Sequence, residues 1–137
     1  SFPTRRSSDL GDILTGIDFE KFLNHHINNN FNITVGVRNY EINVPYGVLV
    51  TDNMLIKSLD EKPTYNFHIS GGVYVVNPDV IKYIQEDEVY NMTDLIEDAI
   101  KNNDKSGVYE ITEYWKDIGQ IEDYRKANTD IHEFFKL

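Results

Sequence analysis

The chain has 137 residues, of which 40% are apolar, and it carries a formal net charge of −10. This length supports one domain with a hydrophobic core, and the acidic balance argues against nucleic acid or an anionic membrane surface as the main partner. The sequence contains no cysteine, which excludes disulfides and thiolate chemistry, and no apolar run approaches the roughly 18 residues of a membrane span, so we expect a cytoplasmic protein.

The opening SFPTRRSSDL differs in character from everything that follows. It is basic, rich in serine and without periodicity, and residues 2–10 match the translation of a common sequencing adapter residue for residue. We therefore interpret residues 1–10 as a non-native tail, with a natural disordered tail as the alternative, and place the domain at residues 11–137.

The first predicted elements are a strand end, a helix and a β-branched strand. GDILTG is typical of a strand end that runs into a loop, and Asp18 is a suitable N-cap for the helix FEKFLNHHINNN. The apolar residues of this helix have helical spacing, namely Phe19, Phe22, Leu23 and Ile27. FNITVGV, which follows, predicts a strand.

Strands and helices continue to alternate to the end of the chain. YGVLVTD and MLIKSLDEKP predict two strands joined by a turn at Asp52-Asn53, and ISGGVYVVN predicts another strand. The remaining predicted elements are a short helix at PDVIKYIQ, an amphipathic helix at NMTDLIEDAIKNN with Thr93 as candidate N-cap, strands at SGVYEIT and YW, and a closing helix at QIEDYRKANTDIHEFFKL. This alternation predicts an α/β domain with a mainly parallel sheet.

Two aspartates follow predicted strands. Asp12 comes directly after Gly11, and ligands of open α/β sheets lie at the carboxyl ends of strands, so Asp12 suits a metal or polar ligand as well as a simple turn. In YWKDIG, Asp117 lies two residues after Trp115, the sole tryptophan. This stretch is either a strand ending in a turn or a carboxylate at the mouth of a site, with Trp115 supporting the backbone beneath it.

Two other stretches are candidates for ligand contact. Pro63 biases Lys62 towards an extended conformation, in which Glu61 and Lys62 point to opposite faces. Glu61 could then accept hydrogen bonds from sugar hydroxyls while Lys62 neutralises a phosphate; the alternative is a solvated charge pair at a strand end. The glycines in SGGVYV are typical of close approach by a ligand or another backbone.

The order of these motifs resembles the sugar-1-phosphate nucleotidyltransferases. Gly-Asp, Tyr-Gly-Val, Glu-Lys-Pro, a Gly-Gly strand and Trp-x-Asp-Ile-Gly follow one another from Gly11 to about Asn128. The resemblance is to the C-terminal half of the catalytic domain, and it implies a Rossmann-like α/β fold with a mixed, mainly parallel sheet, present here as a partial domain. It also implies transfer of a nucleotidyl group from a nucleoside triphosphate to a sugar-1-phosphate, with no nucleic acid or membrane partner.

The resemblance implies a role for each matching residue. Asp12 and Asp117 would bind Mg²⁺ and act in catalysis together with Lys62, which would contact the sugar phosphate. The residues that would bind or line the sugar are Glu61, Tyr46, Gly47, Gly71 and Gly72. Ser70-Gly71 stands where the family often has Asn-Ala, and Lys116 stands where many members have an uncharged residue.

The family's glycine-rich nucleotide signature is absent from the sequence, so the fragment itself is expected to be inactive. A non-catalytic module that binds sugar phosphates or regulates a partner is the alternative, and a plain α/β interaction domain is a third hypothesis. His25 and His26 are adjacent on a helix and therefore do not share a face, which disfavours a two-histidine metal site. Phe134 and Phe135 are interpreted as a packing or dimer surface, which leaves a homo-oligomer open, and the acidic run at 86–88 as a solvated loop.

Overall fold

The computed structural model describes residues 12–85, 89–119 and 121–135. The tail at 1–10 and the acidic run at 86–88 lie outside the described residues. In chain order, the elements are β1 (Ile13–Thr15), α1 (Phe19–Asn28), β2 (Ile33–Asn43), β3 (Gly47–Asp52), β4 (Leu55–Glu61), β5 (Thr64–Val76), a 3₁₀ helix (Pro78–Tyr83), α2 (Met92–Lys101), β6 (Ser106–Glu110), β7 (Trp115–Asp117) and α3 (Ile121–Phe134).

The described strands form small sheets that are mostly antiparallel, so the prediction of a mainly parallel sheet is wrong. β1 pairs with β7 and β3 pairs with β4, both antiparallel. β2 lies between β5 and β6, and its pairing with β6 is parallel, with Ile33 opposite Ser106 and Val37 opposite Glu110. A parallel pair needs a long crossover, which the 3₁₀ helix and α2 supply, whereas β3 and β4 are joined by a tight turn and must be antiparallel.

The chain divides into two compact units. The first comprises the described residues up to Val37 and from Ser70 onwards, and it contains the buried core. One cluster of this core, where α2 and the 3₁₀ helix pack on β2, consists of Ile33, Val80, Leu95 and Ala99. A second cluster consists of Ile17, Phe22 and Ile111.

The second unit, Arg38–Ile69, is a β-ribbon that contains the β3–β4 hairpin. Leu49 and Leu59 face each other across this hairpin, and both are at least half exposed. Asn53 and Met54 have φ of 47° and 68°, so the turn lies one residue later than the predicted Asp52-Asn53. Positive φ at both central residues matches the right-handed twist of a two-residue hairpin.

The helix caps confirm one sequence prediction and correct another. Asp18 caps α1, because its Oδ1 accepts a hydrogen bond from the Lys21 N–H at 3.0 Å. The N-cap of α2 is Asn91 and not Thr93, and the Asn91 N–H donates to Oδ2 of Asp94 at 2.7 Å. This contact joins the N-cap to the third residue of the helix, and α2 therefore begins two positions earlier than predicted.

The apolar face predicted for α1 is only partly buried. Phe22 is 1% exposed, whereas Phe19, Leu23 and Ile27 are 63%, 47% and 56% exposed. The other buried position of α1 is polar, His26. Helical spacing alone therefore identified the apolar stripe but did not decide which side of it the core covers. No described helix is both long and apolar enough to span a membrane.

A buried polar network surrounds His26. Its Nδ1 contacts Oγ1 of Thr34 at 2.7 Å and its Nε2 contacts Oδ1 of Asn77 at 2.9 Å. The Asn77 amide nitrogen donates to the Phe31 carbonyl and to Oδ1 of Asn32, both at 3.1 Å. Since Asn77 therefore presents its oxygen to His26, Nε2 is the donor in that contact. Both ring nitrogens are engaged within the fold, which agrees with a structural role for this histidine.

A phenol–carboxylate bond attaches α3 to the strand pair. The Tyr114 hydroxyl donates to Oδ2 of the buried Asp130 at 2.6 Å. The Tyr114 ring stacks on Phe134 with centroids 5.0 Å apart and meets Phe135 edge-on at 5.8 Å. The packing interpretation of these two phenylalanines is therefore supported within the chain itself.

Replacing Asn77 with alanine is expected to lower the free energy of unfolding by about 2 kcal/mol, because the buried His26 Nε2–H loses its acceptor. Urea denaturation followed by circular dichroism measures this change. The matched control is Asn66→Ala, which removes an exposed amide contact to Asn39 and should change stability by no more than about 0.5 kcal/mol. Equal losses in the two variants would contradict the role of the network.

Stability is expected to fall as the pH rises from 10 towards 12. Burial and then the bond to Asp130 raise the pKa of Tyr114 to about 12. Burial and Asp98 raise the pKa of Tyr90 to about 12, and the bond to Asp104 raises the pKa of Tyr83 to about 12. The unfolded tyrosines lose protons first, near pH 10, so deprotonation draws the equilibrium towards unfolding.

Urea midpoints measured between pH 8 and pH 11.5 test this pH dependence. Tyr114→Phe removes one of the titrating groups, so its midpoint should fall less steeply above pH 10 than that of the wild type. An identical slope in both proteins would contradict the raised pKa of Tyr114.

Candidate active site

The pairing of β1 with β7 brings together two aspartates that are distant in sequence. Ile13 lies opposite Asp117 and Thr15 lies opposite Trp115. The Ile118 N–H donates to the carbonyl of Asp12 at 2.7 Å, which extends the pairing by one more bond. Asp12 thus lies directly before β1, at the end of the pair where Asp117 closes β7.

The two carboxylates border the same space beside Gly119. A Cβ placed on Gly119 would lie 3.4 Å from Oδ1 of Asp117 and 3.9 Å from Oδ2 of Asp12. A side chain at this position would therefore contact both carboxylates, and glycine leaves the space beside them open. The neighbouring cation, Lys116, is paired with a different carboxylate: its ammonium contacts Oδ1 of Asp123 at 3.0 Å.

The chemistry of this donor set is that of a hard divalent cation. No group of three or more metal-ligating side chains occurs among the residues that the structure describes. Mg²⁺ typically takes one or two carboxylates and completes its coordination with waters and substrate phosphates. The Asp12–Asp117 pair, with open space between its oxygens, fits such an ion better than it fits a closed structural metal site.

Trp115 joins the strand of Asp117 to the glycine pair of β5. Its indole Nε1 donates to the carbonyl of Gly71 at 2.7 Å. A Cβ on Gly71 would lie 2.7 Å from Cδ1 of Ile111 and 2.9 Å from the carbonyl oxygen of Gly36, so a side chain does not fit there. Gly72 has φ of 73°, which favours glycine for a different reason. The predicted close approach to a ligand or another backbone is thus, at Gly71, an approach to the backbone of Gly36.

The side chains of Trp115 and Asp117 leave β7 on the same face, since they are two residues apart in a strand. The indole packs against the core cluster of Ile17, Phe22 and Ile111. Support of the backbone at Asp117 was one of two interpretations of Trp115 in YWKDIG; in the structure the Trp115 indole packs on the core and donates one hydrogen bond to Gly71.

The hairpin unit gathers the other predicted site residues at its open end. Gly47 pairs with Glu61, and a Cβ on Gly47 would lie 3.2 Å from Oε2 of Glu61. The Lys62 N–H donates to the carbonyl of Tyr46 at 3.3 Å. The two motifs Tyr46-Gly47 and Glu61-Lys62 are therefore neighbours within this unit, although 15 residues separate Tyr46 from Glu61 in the numbering.

Lys62 is not extended, which corrects the prediction made from Pro63. Its φ is 48°, in the left-handed region. The bond from the Lys62 N–H to Tyr46 and the bond from the Val44 N–H to the Pro63 carbonyl at 3.0 Å close the end of the ribbon. These hydrogen bonds outweigh the local bias imposed by proline, so the alternation of an extended strand does not apply to Glu61 and Lys62.

Two features of the site region were not assigned by sequence reasoning. Gly119 was noted only as a neighbour of Asp117, although its missing side chain leaves the space between the carboxylates open. Ser70 Oγ lies 2.9 Å from the Tyr74 hydroxyl, beside the glycine pair. The signal for Gly119 was its position two residues after Asp117, just beyond the end of β7.

The sequence from residue 10 to residue 133 matches the family described as nucleotidyl transferase. Glucose-1-phosphate adenylyltransferase of Mycoplasma mobile is 30% identical, in an alignment that covers 88% of this chain and 35% of that protein. The enzyme of the same name from Halalkalibacterium halodurans is also 30% identical, with the same two coverages. The chain thus spans about a third of the length of the curated relatives it matches.

Solved structures show the same fold. HddC from Yersinia pseudotuberculosis superimposes with a TM-score of 0.56 at 22% identity, over 88% of this chain and 52% of that chain. HddC complexed with GMP-PN gives a TM-score of 0.55 at 21% identity, with the same coverages. The α/β arrangement described above therefore corresponds to about half of each of these chains.

Gly119→Ala is expected to fold normally and to lower divalent-cation affinity about tenfold, because the new methyl group would lie between the two carboxylates. Titration with Mn²⁺ followed by electron paramagnetic resonance measures the affinity. Gly16→Ala is the matched control: its Cβ would be 3.4 Å from the Phe135 ring, an ordinary contact away from the carboxylates. Unchanged Mn²⁺ affinity in Gly119→Ala would contradict a metal site in this space.

Proposed function

Because the chain belongs to the nucleotidyl transferase family, we propose that the complete protein transfers a nucleotidyl group from a nucleoside triphosphate to a sugar-1-phosphate. The products are a nucleotide-sugar and pyrophosphate. The observation that carries this proposal is the juxtaposition of the Asp12 and Asp117 carboxylates beside Gly119. Relatives named glucose-1-phosphate adenylyltransferase support the sugar-1-phosphate class, and HddC complexed with GMP-PN supports a nucleotide ligand.

The proposed reaction is an in-line displacement at phosphorus. An oxygen of the sugar phosphate forms a bond to the α-phosphorus of the triphosphate, while the bond from the α-phosphorus to the bridging oxygen breaks and pyrophosphate leaves. Such a reaction requires alignment of the two reactants and compensation of their negative charges more than it requires a nucleophilic side chain.

Asp12 and Asp117 would hold Mg²⁺, which when bound offsets the charge of the nucleotide phosphates. Their positions are set by backbone bonds, namely the β1–β7 pairing and the Ile118–Asp12 bond. Because the backbone at both aspartates is fixed before any ligand arrives, only their side chains would need to reorient when the metal binds.

The residues at the open end of the hairpin would bind the sugar phosphate. Lys62 would reduce the repulsion between the two phosphorylated reactants, and Glu61 would accept hydrogen bonds from sugar hydroxyls. Both side chains are exposed, which leaves them accessible to a ligand. Within the same unit, Tyr46-Gly47 would contact the sugar beside Glu61. The family resemblance assigns a sugar contact to Gly71-Gly72 in β5 as well.

In the complete protein, Asp117→Asn is expected to lower turnover by at least about a hundredfold, because one of two metal-binding carboxylates loses its charge. Pyrophosphate release across a panel of triphosphates and sugar phosphates measures turnover. Asp79→Asn, at an exposed position in the 3₁₀ helix, serves as the control for loss of one negative charge. Wild-type turnover in Asp117→Asn would reject the proposed role.

Lys62→Ala should raise the KM for the sugar phosphate about tenfold and leave the KM for the triphosphate nearly unchanged, since it removes one charge-assisted contact. Lys57→Ala is the matched control, because Lys57 lies in the same hairpin but pairs with Asp52 at 3.8 Å. Equal effects of the two substitutions would contradict a specific role for Lys62. Binding of a sugar phosphate by the wild-type protein without any turnover would favour the non-catalytic module instead.

A further inference from the structure

A side-chain hydrogen bond connects β7, the strand that carries Asp117, to the glycine pair Gly71-Gly72 of β5. The donor is the indole Nε1 of Trp115 and the acceptor is the carbonyl of Gly71, 2.7 Å away. β7 and β5 belong to different sheets, so this contact is not part of a strand ladder. The direct link between Gly71 and β7 is therefore made by a side chain, in addition to the packing of β5 on the core.

The packing around Gly71 leaves little freedom for this contact to change. A Cβ on Gly71 would lie 3.4 Å from the Trp115 Nε1 as well as 2.7 Å from the Ile111 side chain. A Cβ on Gly36, from the neighbouring strand, would lie 2.5 Å from Cγ2 of Val73 and 3.0 Å from the same Ile111. Absent side chains at both glycines thus let the backbone of β5 lie close to the core and to the indole.

The indole is itself held by the core. Trp115 packs against the cluster of Ile17, Phe22 and Ile111, and its backbone is paired opposite Thr15. Asp117 lies two residues further along the same three-residue strand. A shift of the Trp115 ring would therefore be transmitted in two directions, to the Gly71 carbonyl through the hydrogen bond and to Asp117 through the short strand.

We propose that Trp115 is a positioning residue that holds Gly71-Gly72 in register with the Asp12–Asp117 carboxylates. On the proposed function, on which this inference rests, a sugar phosphate bound beside the glycines is thereby aligned with the phosphates of the nucleotide. Trp115 acts through the Gly71 backbone and does not itself take part in the reaction. A phenylalanine would keep the aromatic packing but would lose the donor, which makes the N–H the specific feature.

The test compares Trp115→Phe with Tyr114→Phe in the complete protein. Each substitution removes one hydrogen-bond donor from an aromatic side chain, and the two residues are adjacent. Tyr114 donates to Asp130 on α3, so its loss should weaken the fold without changing the link to Gly71. Thermal unfolding of both variants measures the loss of stability. The KM for each substrate and the hydrogen exchange of the amides at 70–74 measure whether the Gly71-Gly72 segment keeps its position.

In Trp115→Phe, we expect the KM for the sugar phosphate to rise about tenfold while the KM for the triphosphate changes by less than about twofold, as for loss of one hydrogen bond. Exchange of the amides at 70–74 should become about tenfold faster. Tyr114→Phe should leave both KM values and this exchange unchanged. If Trp115→Phe does not fold, Trp115→Tyr provides the same test, because it keeps an aromatic ring at this position and likewise lacks the indole N–H that donates to Gly71.

The outcomes separate the two hypotheses. Unchanged exchange at 70–74 in Trp115→Phe, or an equal rise in both KM values, would overturn the positioning role even in an active enzyme. Faster exchange in a protein that shows no turnover with any sugar phosphate would support the structural link and overturn the proposed function alone. Equal exchange in Trp115→Phe and Tyr114→Phe would show only a general loosening of the fold and would also overturn the inference.

Discussion

The antiparallel pairing of β1 with β7 is the constraint on which the candidate site depends. Each strand has only three residues, yet the pair joins the beginning of the described chain to a segment 100 residues later. Further bonds strengthen it, since the Tyr114 carbonyl accepts from the Gly16 N–H and from the Thr15 hydroxyl, both at 2.9 Å. This pairing is what brings Asp12 and Asp117 to the same space beside Gly119.

The core beneath the pair is assembled from both apolar and polar contacts. Ile17, Phe22 and Ile111 form the cluster against which Trp115 packs, while His26 and Asn77 tie α1 to the loop before the 3₁₀ helix. Both ring nitrogens of His26 and the side-chain amide of Asn77 have hydrogen-bond partners, so the network can be buried without the penalty of an unpaired donor. These contacts support the short strands β1 and β7, and the proposed alignment of two phosphorylated ligands would depend on that support.

The hairpin unit has a different physical character. Its strands are held by ladder hydrogen bonds, and its apolar side chains, such as Leu49 and Leu59, remain at least half exposed. Lys62 adopts a positive φ at its open end, where Tyr46 and Glu61 also lie. The residues proposed to bind the sugar phosphate are therefore on a hydrogen-bonded ribbon, whereas the carboxylates proposed to bind the metal are on the packed core.

The sequence by itself determined the elements whose signals are local. Asp18 was identified as an N-cap, the β3–β4 hairpin was placed to within one residue, and the order of motifs from Gly11 to Asn128 indicated the family. Only the tertiary structure decided the strand pairing and the burial of α1, because hydrogen bonds between distant strands leave no periodic trace in the sequence. The same reason explains Lys62 and Gly119: the conformation of the first and the open space at the second depend on residues far away in the chain. The sequence therefore specified which residues are present at the site, and long-range backbone pairing decided which of them meet.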